Sequence, residues 1–264
     1  MSNDPPNFDI YVTGGDQVWN TNSEINCFGA YFLPFGPKST PRISLSSSLG
    51  ANEFNIKYID WIKEHLSNYR AISVRENNDV EYLKSLGYNN CIHIADPSIL
   101  ANKRIYDELI SNQSHSHYDV VTYILGKKST DWHGIDKQIH SIMGNGKCSM
   151  LNIALQDFKL KHAKNRILSV PEFVDAIANC DLLITNSFHG VVFANIYNKP
   201  YVYIKFPDEK KNARVSSLLK GSEDEFRMVD SLNQQNLENL KKPLKLDLSL
   251  LRIAGLNFLR ENLK

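Results

Sequence analysis

Short apolar runs of β type alternate with segments of helical period along nearly the whole chain, and this alternation constrains the fold more than any other feature. Strands are expected at 8–13, 42–48, 71–74 and 91–95. A helix is expected at 54–69, where Ile56, Ile59, Trp61, Ile62 and Leu66 recur at helical spacing. Another is expected at 78–86, with Gly87 as its C-terminal stop. Strand, helix and strand in series predict a parallel sheet covered on both faces. Residues 101–117 then turn polar and end in SNQSHSH, the best candidate for a domain boundary. Beyond it the alternation restarts, with strands at 118–125, 148–154, 181–185 and 201–205. Helices are expected at 132–143, 171–179, 188–197 and 212–219, Pro171 suiting a first turn. A terminal helix over 246–263 is weakened by Gly255. The expected class is α/β, with two Rossmann-like parallel-sheet domains facing a cleft. The first spans 1–108 and the second 109–240, and the terminal segment 241–264 packs back across both.

At 264 residues and 42% hydrophobic content, the chain is large enough for this arrangement. Its 30 basic and 29 acidic residues leave a formal charge of +1, so no global field recruits nucleic acid or an anionic membrane. There is no block of like charge, and the pairs Lys210-Lys211 and Lys241-Lys242 read as solvated surface. Neither a signal peptide nor an apolar run of about 18 residues is visible, so a cytoplasmic protein is expected. Cys27, Cys91, Cys148 and Cys180 lie far apart with no CxxC, which favours free thiols over a disulfide framework or a metal site. Asn112-Gln113-Ser114 matches a glycosylation acceptor by chance.

In open α/β sheets ligands bind outside the carboxyl ends of strands, and several polar clusters fall there. After the first strand, Gly14 and Gly15 permit positive φ and close backbone approach. Asp16, Gln17 and Asn20 follow, and Trp19 offers a stacking face. The same residues also suit a tight turn over a buried tryptophan. The strand at 42–48 runs into Ser46, Ser47 and Ser48. Arg75 and Glu76 directly follow an apolar strand. Arg75 can grip a carboxylate or phosphate with two N–H groups, or can form an ion pair that fixes a loop. GKKST at 126–130 is not a P-loop, because Val121 stands where a glycine is required.

The sharpest cluster is TNSFHG at 185–190. A helix starting near Phe188 presents free N–H groups and a positive dipole end, which suit an anion. Asn186 or Ser187 can cap it, and Gly190 lets backbone come close. His189 falls in the first turn, where the dipole is expected to lower its pKa toward neutrality, as suits an acid–base group. A capped helix with a hydrogen-bonded histidine is the plainer alternative. Arg75 and His189 are expected at corresponding strand ends, facing one cleft.

In order, GGDQVWN, SVRE, ADPSIL, PEF, LITNSFHGVVFANIYNKP and NARVSSLL make the chain resemble the polysaccharide pyruvyl transferase family, from about residue 9 to about 220. The resemblance implies a glycosyltransferase-B-type fold and transfer of pyruvate from phosphoenolpyruvate onto a sugar as a ketal. It implies work on bacterial capsule, exopolysaccharide or cell-wall polymers. The acceptor would be a sugar or lipid-linked saccharide at the inner face of the membrane, which allows peripheral membrane association. His189 would be the acid–base group. Arg75, the helix start at Phe188 and Arg214 would hold the donor, and the residues from Gly14 to Trp19 with the serine edge would face the acceptor. No metal or cofactor is implied. Family members usually carry a further N-terminal βα segment, so the first domain is expected to be truncated at its N-terminus. Members of better-defined activity read SRLHG, and Ser187 stands here in place of that arginine. A nucleotide-sugar glycosyltransferase and a non-catalytic sugar-binding or partner-binding homologue are the rival readings.

Overall fold

The computed structural model describes residues 7–22, 28–50, 53–126, 138–139, 141, 148–153, 159–233 and 242–264. The chain divides into two compact units, one of residues 1–101 with 249–264 and one of residues 102–248.

In unit 1, β1 (Tyr11–Gly14), β2 (Arg42–Leu45) and β3 (Tyr69–Ala71) form a parallel sheet in that order. The parallel pair β4 (Ser73–Val74) and β5 (Ile92–His93) continues it through a bridge between Ser47 and Val74. The connecting helices are α1 (Phe28–Tyr31), α2 (Ile59–Leu66), α3 (Asn77–Ser85) and α4 (Pro97–Leu100). Trp19, Phe32, Phe54, Ile62, Leu66, Tyr69 and Leu83 form the main core.

In unit 2, α5 (Lys103–Ile110) leads into β6 (Tyr118–Tyr123), β7 (Met150–Ile153) and β8 (Lys164–Arg166). Then come α6 (Val170–Ala178), β9 (Cys180–Thr185), α7 (Phe188–Ile196), β10 (Tyr201–Ile204), α8 (Glu209–Leu219) and β11 (Met228–Val229). The last helix, α9 (Ser249–Asn262), groups with unit 1. The sheet order is β8-β7-β6-β9-β10-β11, and every pairing is parallel. In order of appearance the strands run 3-2-1-4-5-6, the doubly wound Rossmann order. β7 and β10 are buried at every position and β9 at all but Asp181. Such strands are covered on both faces, which is why they read as continuous apolar runs.

Three features depart from the sequence expectation. The polar stretch at 101–117 contains α5, whose cap is Asn102 accepting from Arg104 N–H. The strand β8 reads KNR, with no apolar signal. It is held by a polar row in which Thr122 Oγ1 donates to Asn152 Oδ1 and Asn152 Nδ2 donates to Asn165 Oδ1. Third, Gly255 does not interrupt α9. It faces Leu100, whose methyls would lie 2.3 and 2.8 Å from an added Cβ. The glycine lets α9 lie close on α4, and Arg252 Nε donates to Leu100 O at 3.0 Å. The helix expected at 132–143 falls almost wholly outside the described residues.

Candidate functional site

The order of the large sheet sets a switch point between β6 and β9, where chain connections leave in opposite directions and a crevice opens. Residues 185–190 leave β9 at that point. Asn186 is buried, and its side chain bonds both backbone groups of Leu125, just beyond β6. Its Oδ1 accepts from Leu125 N–H at 2.6 Å, and its Nδ2 donates to Leu125 O at 2.8 Å. Thr185 Oγ1 donates to Tyr123 O at 2.7 Å and accepts from Ser187 N–H at 3.0 Å. Ser187 is the cap of α7, its hydroxyl accepting from Gly190 N–H at 3.4 Å. An added Cβ on Gly190 would lie 2.6 Å from Thr185 Oγ1, so a glycine is needed for α7 to sit so close to β9.

These bonds divide the cluster into two jobs. Thr185, Asn186 and Ser187 are buried and knit the two strand ends together. Phe188 is buried as well, and its ring meets His189 edge-on at 5.5 Å. His189 is half-buried in the first turn, beside the helix N–H groups. Two residues that the sequence did not single out as site candidates, Tyr123 and Asn212 of the NARVSSLL motif, lie on neighbouring elements. Tyr123, at the end of β6, hydrogen-bonds through its phenol with Ser187 and packs on Phe173 of the PEF motif at 4.9 Å. Asn212, buried in α8, accepts from Phe206 N–H and donates to Phe206 O, fixing the turn after β10. Arg214 is half-buried on the same helix, with its charge felt at Tyr203.

In unit 1 the carboxyl strand ends gather a second polar cluster. Arg75 is almost wholly buried. Its Nε bonds Glu76 Oε1 at 3.0 Å, and its Nη1 bonds Asp96 Oδ2 at 2.8 Å. Both Nη atoms lie 3.4 Å from Asp16 Oδ1. Burial opposes the charge, but Glu76 and Asp96 outweigh it and hold the guanidinium pKa above its ordinary value. The donors of Arg75 turn to protein carboxylates, the loop-fixing ion pair that the sequence also allows. What it presents is Asp16, whose side chain is 64% exposed. Beneath lies Asp79, pushed up to about 8 by burial and by its hydrogen bond with Glu76. Two carboxylates are both acceptors, so that contact needs a shared proton. Asp79 Oδ2 also accepts from Leu49 N–H, at 3.1 Å.

Other expected contacts are placed differently. Trp19 offers no stacking face to a ligand; it is fully buried, stacked on Phe32 at 5.3 Å, with Nε1 donating to Tyr31 O. Ser46 and Ser47 are also buried. Ser46 Oγ donates to Ile94 O, and Ser47 Oγ has no partner among the described residues. Gly14 and Gly15 have φ of 155° and 95°, and an added Cβ on Gly14 would strike Leu45 O. Here the glycines serve strand approach and the turn that lifts Asp16 into solvent. Gln17 is half-buried and accepts from Asn20 Nδ2. Cys91, Cys148 and Cys180 are free thiols, and Cys27 lies outside the described residues. At the opposite edge of the large sheet, His117, Asp119 and Asp181 offer ligand atoms within 4.8 Å of one another. His117 bonds Asp181 there, and Asp119 accepts from Ser149.

Parallel sheets in two Rossmann-like units, with polar loops gathered at carboxyl strand ends, define a protein of glycosyltransferase-B-like fold. Among solved structures, a Listeria monocytogenes protein described as a UDP-N-acetylglucosamine 2-epimerase is similar over 97% of this chain and 75% of its own, at 10% identity and a TM-score of 0.61. A UDP-N-acetylglucosamine 2-epimerase from Rickettsia bellii is similar over 96% and 72%, at 14% identity and a TM-score of 0.48. The first of these likenesses supports the fold alone. Curated proteins offer no match. The family model for polysaccharide pyruvyl transferase matches residues 2–205, and the chain belongs to that family. No helix among the described residues is long and apolar enough to cross a membrane.

Proposed function

We propose that the chain transfers pyruvate from phosphoenolpyruvate to two hydroxyls of a sugar in a bacterial surface polysaccharide or its precursor, forming a ketal. The observation that carries this reading is the start of α7 at the switch point of the large sheet, with His189 in its first turn. Helix N–H groups and a positive dipole end suit a phosphate or carboxylate. Phosphoenolpyruvate carries both on one small frame. A proton delivered to C3 turns the methylene into a methyl and makes C2 electrophilic. One sugar hydroxyl attacks C2, phosphate leaves, and a second hydroxyl closes the ring. The two hydroxyls release two protons; one balances that added at C3, and the other leaves with phosphate. His189 is the group assigned to these transfers. Arg214 is a candidate to steady the donor. Asp16 suits sugar hydroxyls, because an exposed carboxylate held by Arg75 is an oriented acceptor.

A nucleotide-sugar donor is the second reading. It is favoured by the fold likeness to a protein described as acting on UDP-N-acetylglucosamine and by Ser187 in place of an arginine. The test is a reaction of purified chain with phosphoenolpyruvate and a panel of saccharides from bacterial envelopes. Saccharide-dependent phosphate release with a new ketal methyl signal is expected. Saccharide-dependent release of a nucleoside diphosphate from a nucleotide sugar, with no ketal, would replace the proposal by the second reading.

A further inference from the structure

We infer that the β8 edge of unit 2 is a docking surface for an anionic lipid membrane. Residues 159–170 read KLKHAKNRILSV, with four lysine or arginine residues and no acid. Lys159, Lys161, Lys164 and Arg166 are all exposed. Among the described residues, β8 is the last strand on its side of the sheet. Asn165 points inward to Asn152, so alternation sends Lys164 and Arg166 to the other face. Arg166 pairs with Glu172, and Lys159 and Lys164 add to the positive charge of this edge.

A basic edge alone would suit any polyanion. The apolar residues beside it select a membrane. Ile167 is 77% exposed and Val170 is 68% exposed, three residues apart and directly after the basic strand. A soluble polyanion gives such side chains nowhere to go. A bilayer interface accepts them while its anionic headgroups meet the lysines.

The position gives the surface a use. β8 runs parallel to β7 and β6, so residues 167–170 leave the sheet at the same edge as residues 185–189. β8 lies two strands from β6, roughly 10 Å at ordinary strand spacing. A membrane held there lies beside the edge that carries the candidate site, where a lipid-linked saccharide would present its sugar. The docking itself does not depend on the pyruvyl-transfer reading.

The test is sedimentation of the full chain with vesicles of phosphatidylcholine alone and of phosphatidylcholine mixed with phosphatidylglycerol. Binding to the mixed vesicles only is expected, weakening as salt is raised. Each basic residue near an anionic surface contributes about fivefold, so Lys159→Ser/Lys164→Ser should weaken binding about 25-fold. Ile167→Ser/Val170→Ser should weaken it roughly tenfold and leave the salt dependence in place. Unchanged melting temperatures show that both variants fold. No binding to mixed vesicles, or equal binding by both variants, would overturn the proposal. So would a loss confined to the lysine variant with full competition by soluble polyphosphate, which marks a surface for polyanions in general.

Discussion

At the scale of single residues, the run from Thr185 to Gly190 mixes two jobs that only side-chain contacts separate. Asn186 bonds both backbone groups of Leu125, whereas His189 stands half-buried at the helix start. His189→Ala should therefore keep the melting temperature close to that of the parent and lower turnover by roughly 10²–10⁴-fold. Asn186→Ala should instead cost about 1–3 kcal/mol, because it removes both hydrogen bonds of a buried amide and leaves the half-buried N–H and C=O of Leu125 unpaired. Melting curves and rates on both variants check the split; a destabilised His189→Ala with normal turnover per folded molecule would reverse it. Asp79 yields a pH prediction. Its folded pKa of about 8 lies above that of a free carboxyl, so the fold retains a proton that the unfolded chain releases. The stabilisation from that proton is complete below about pH 4 and is lost as pH rises toward 8. Asp79→Asn keeps a neutral partner for Glu76 and an acceptor for Leu49 N–H. Its stability should fall less over this window, by on the order of 2 kcal/mol. Denaturation midpoints at about pH 5 and about pH 9 measure it; parallel curves for parent and variant would contradict it.

At the scale of elements, burial decides what could be read from sequence. Strands covered on both faces declare themselves as apolar runs, and β6, β7, β9 and β10 were legible for that reason. β8 was not, because KNR is held by a row of amides and hydroxyls donated by neighbouring strands. The helix α5 was hidden in a polar stretch, with Ile110 its one fully buried side chain. Gly255 shows how a local rule inverts in context. A glycine inside a helix costs about 1 kcal/mol against alanine, which suggests that Gly255→Ala would stabilise α9. Its Cβ would meet buried Leu100 at 2.3 Å, and overpacking of that kind costs about 1–3 kcal/mol. The clash should outweigh the propensity, so Gly255→Ala is expected to lower the denaturation midpoint; a raised midpoint would show that α4 yields easily.

At the scale of the whole molecule, the alternation of strands and helices was enough for the fold class and the ordered motifs were enough for the family, because both rest on local patterns. The chemistry around Arg75 was only half legible. An arginine after a strand announces a charge, but Asp96 lies 21 residues away in sequence and Asp16 lies 59, so its partners needed the folded chain. Net charge was equally blind to the basic edge at 159–170, because acids elsewhere cancel it in the sum. What remains is the donor. Calorimetric titration of the purified chain with phosphoenolpyruvate, and with UDP-N-acetylglucosamine in competition, addresses it most directly. Saturable binding of phosphoenolpyruvate is expected, displaced by inorganic phosphate and indifferent to the nucleotide sugar. Saturable binding of the nucleotide sugar, with none of phosphoenolpyruvate, would contradict that expectation.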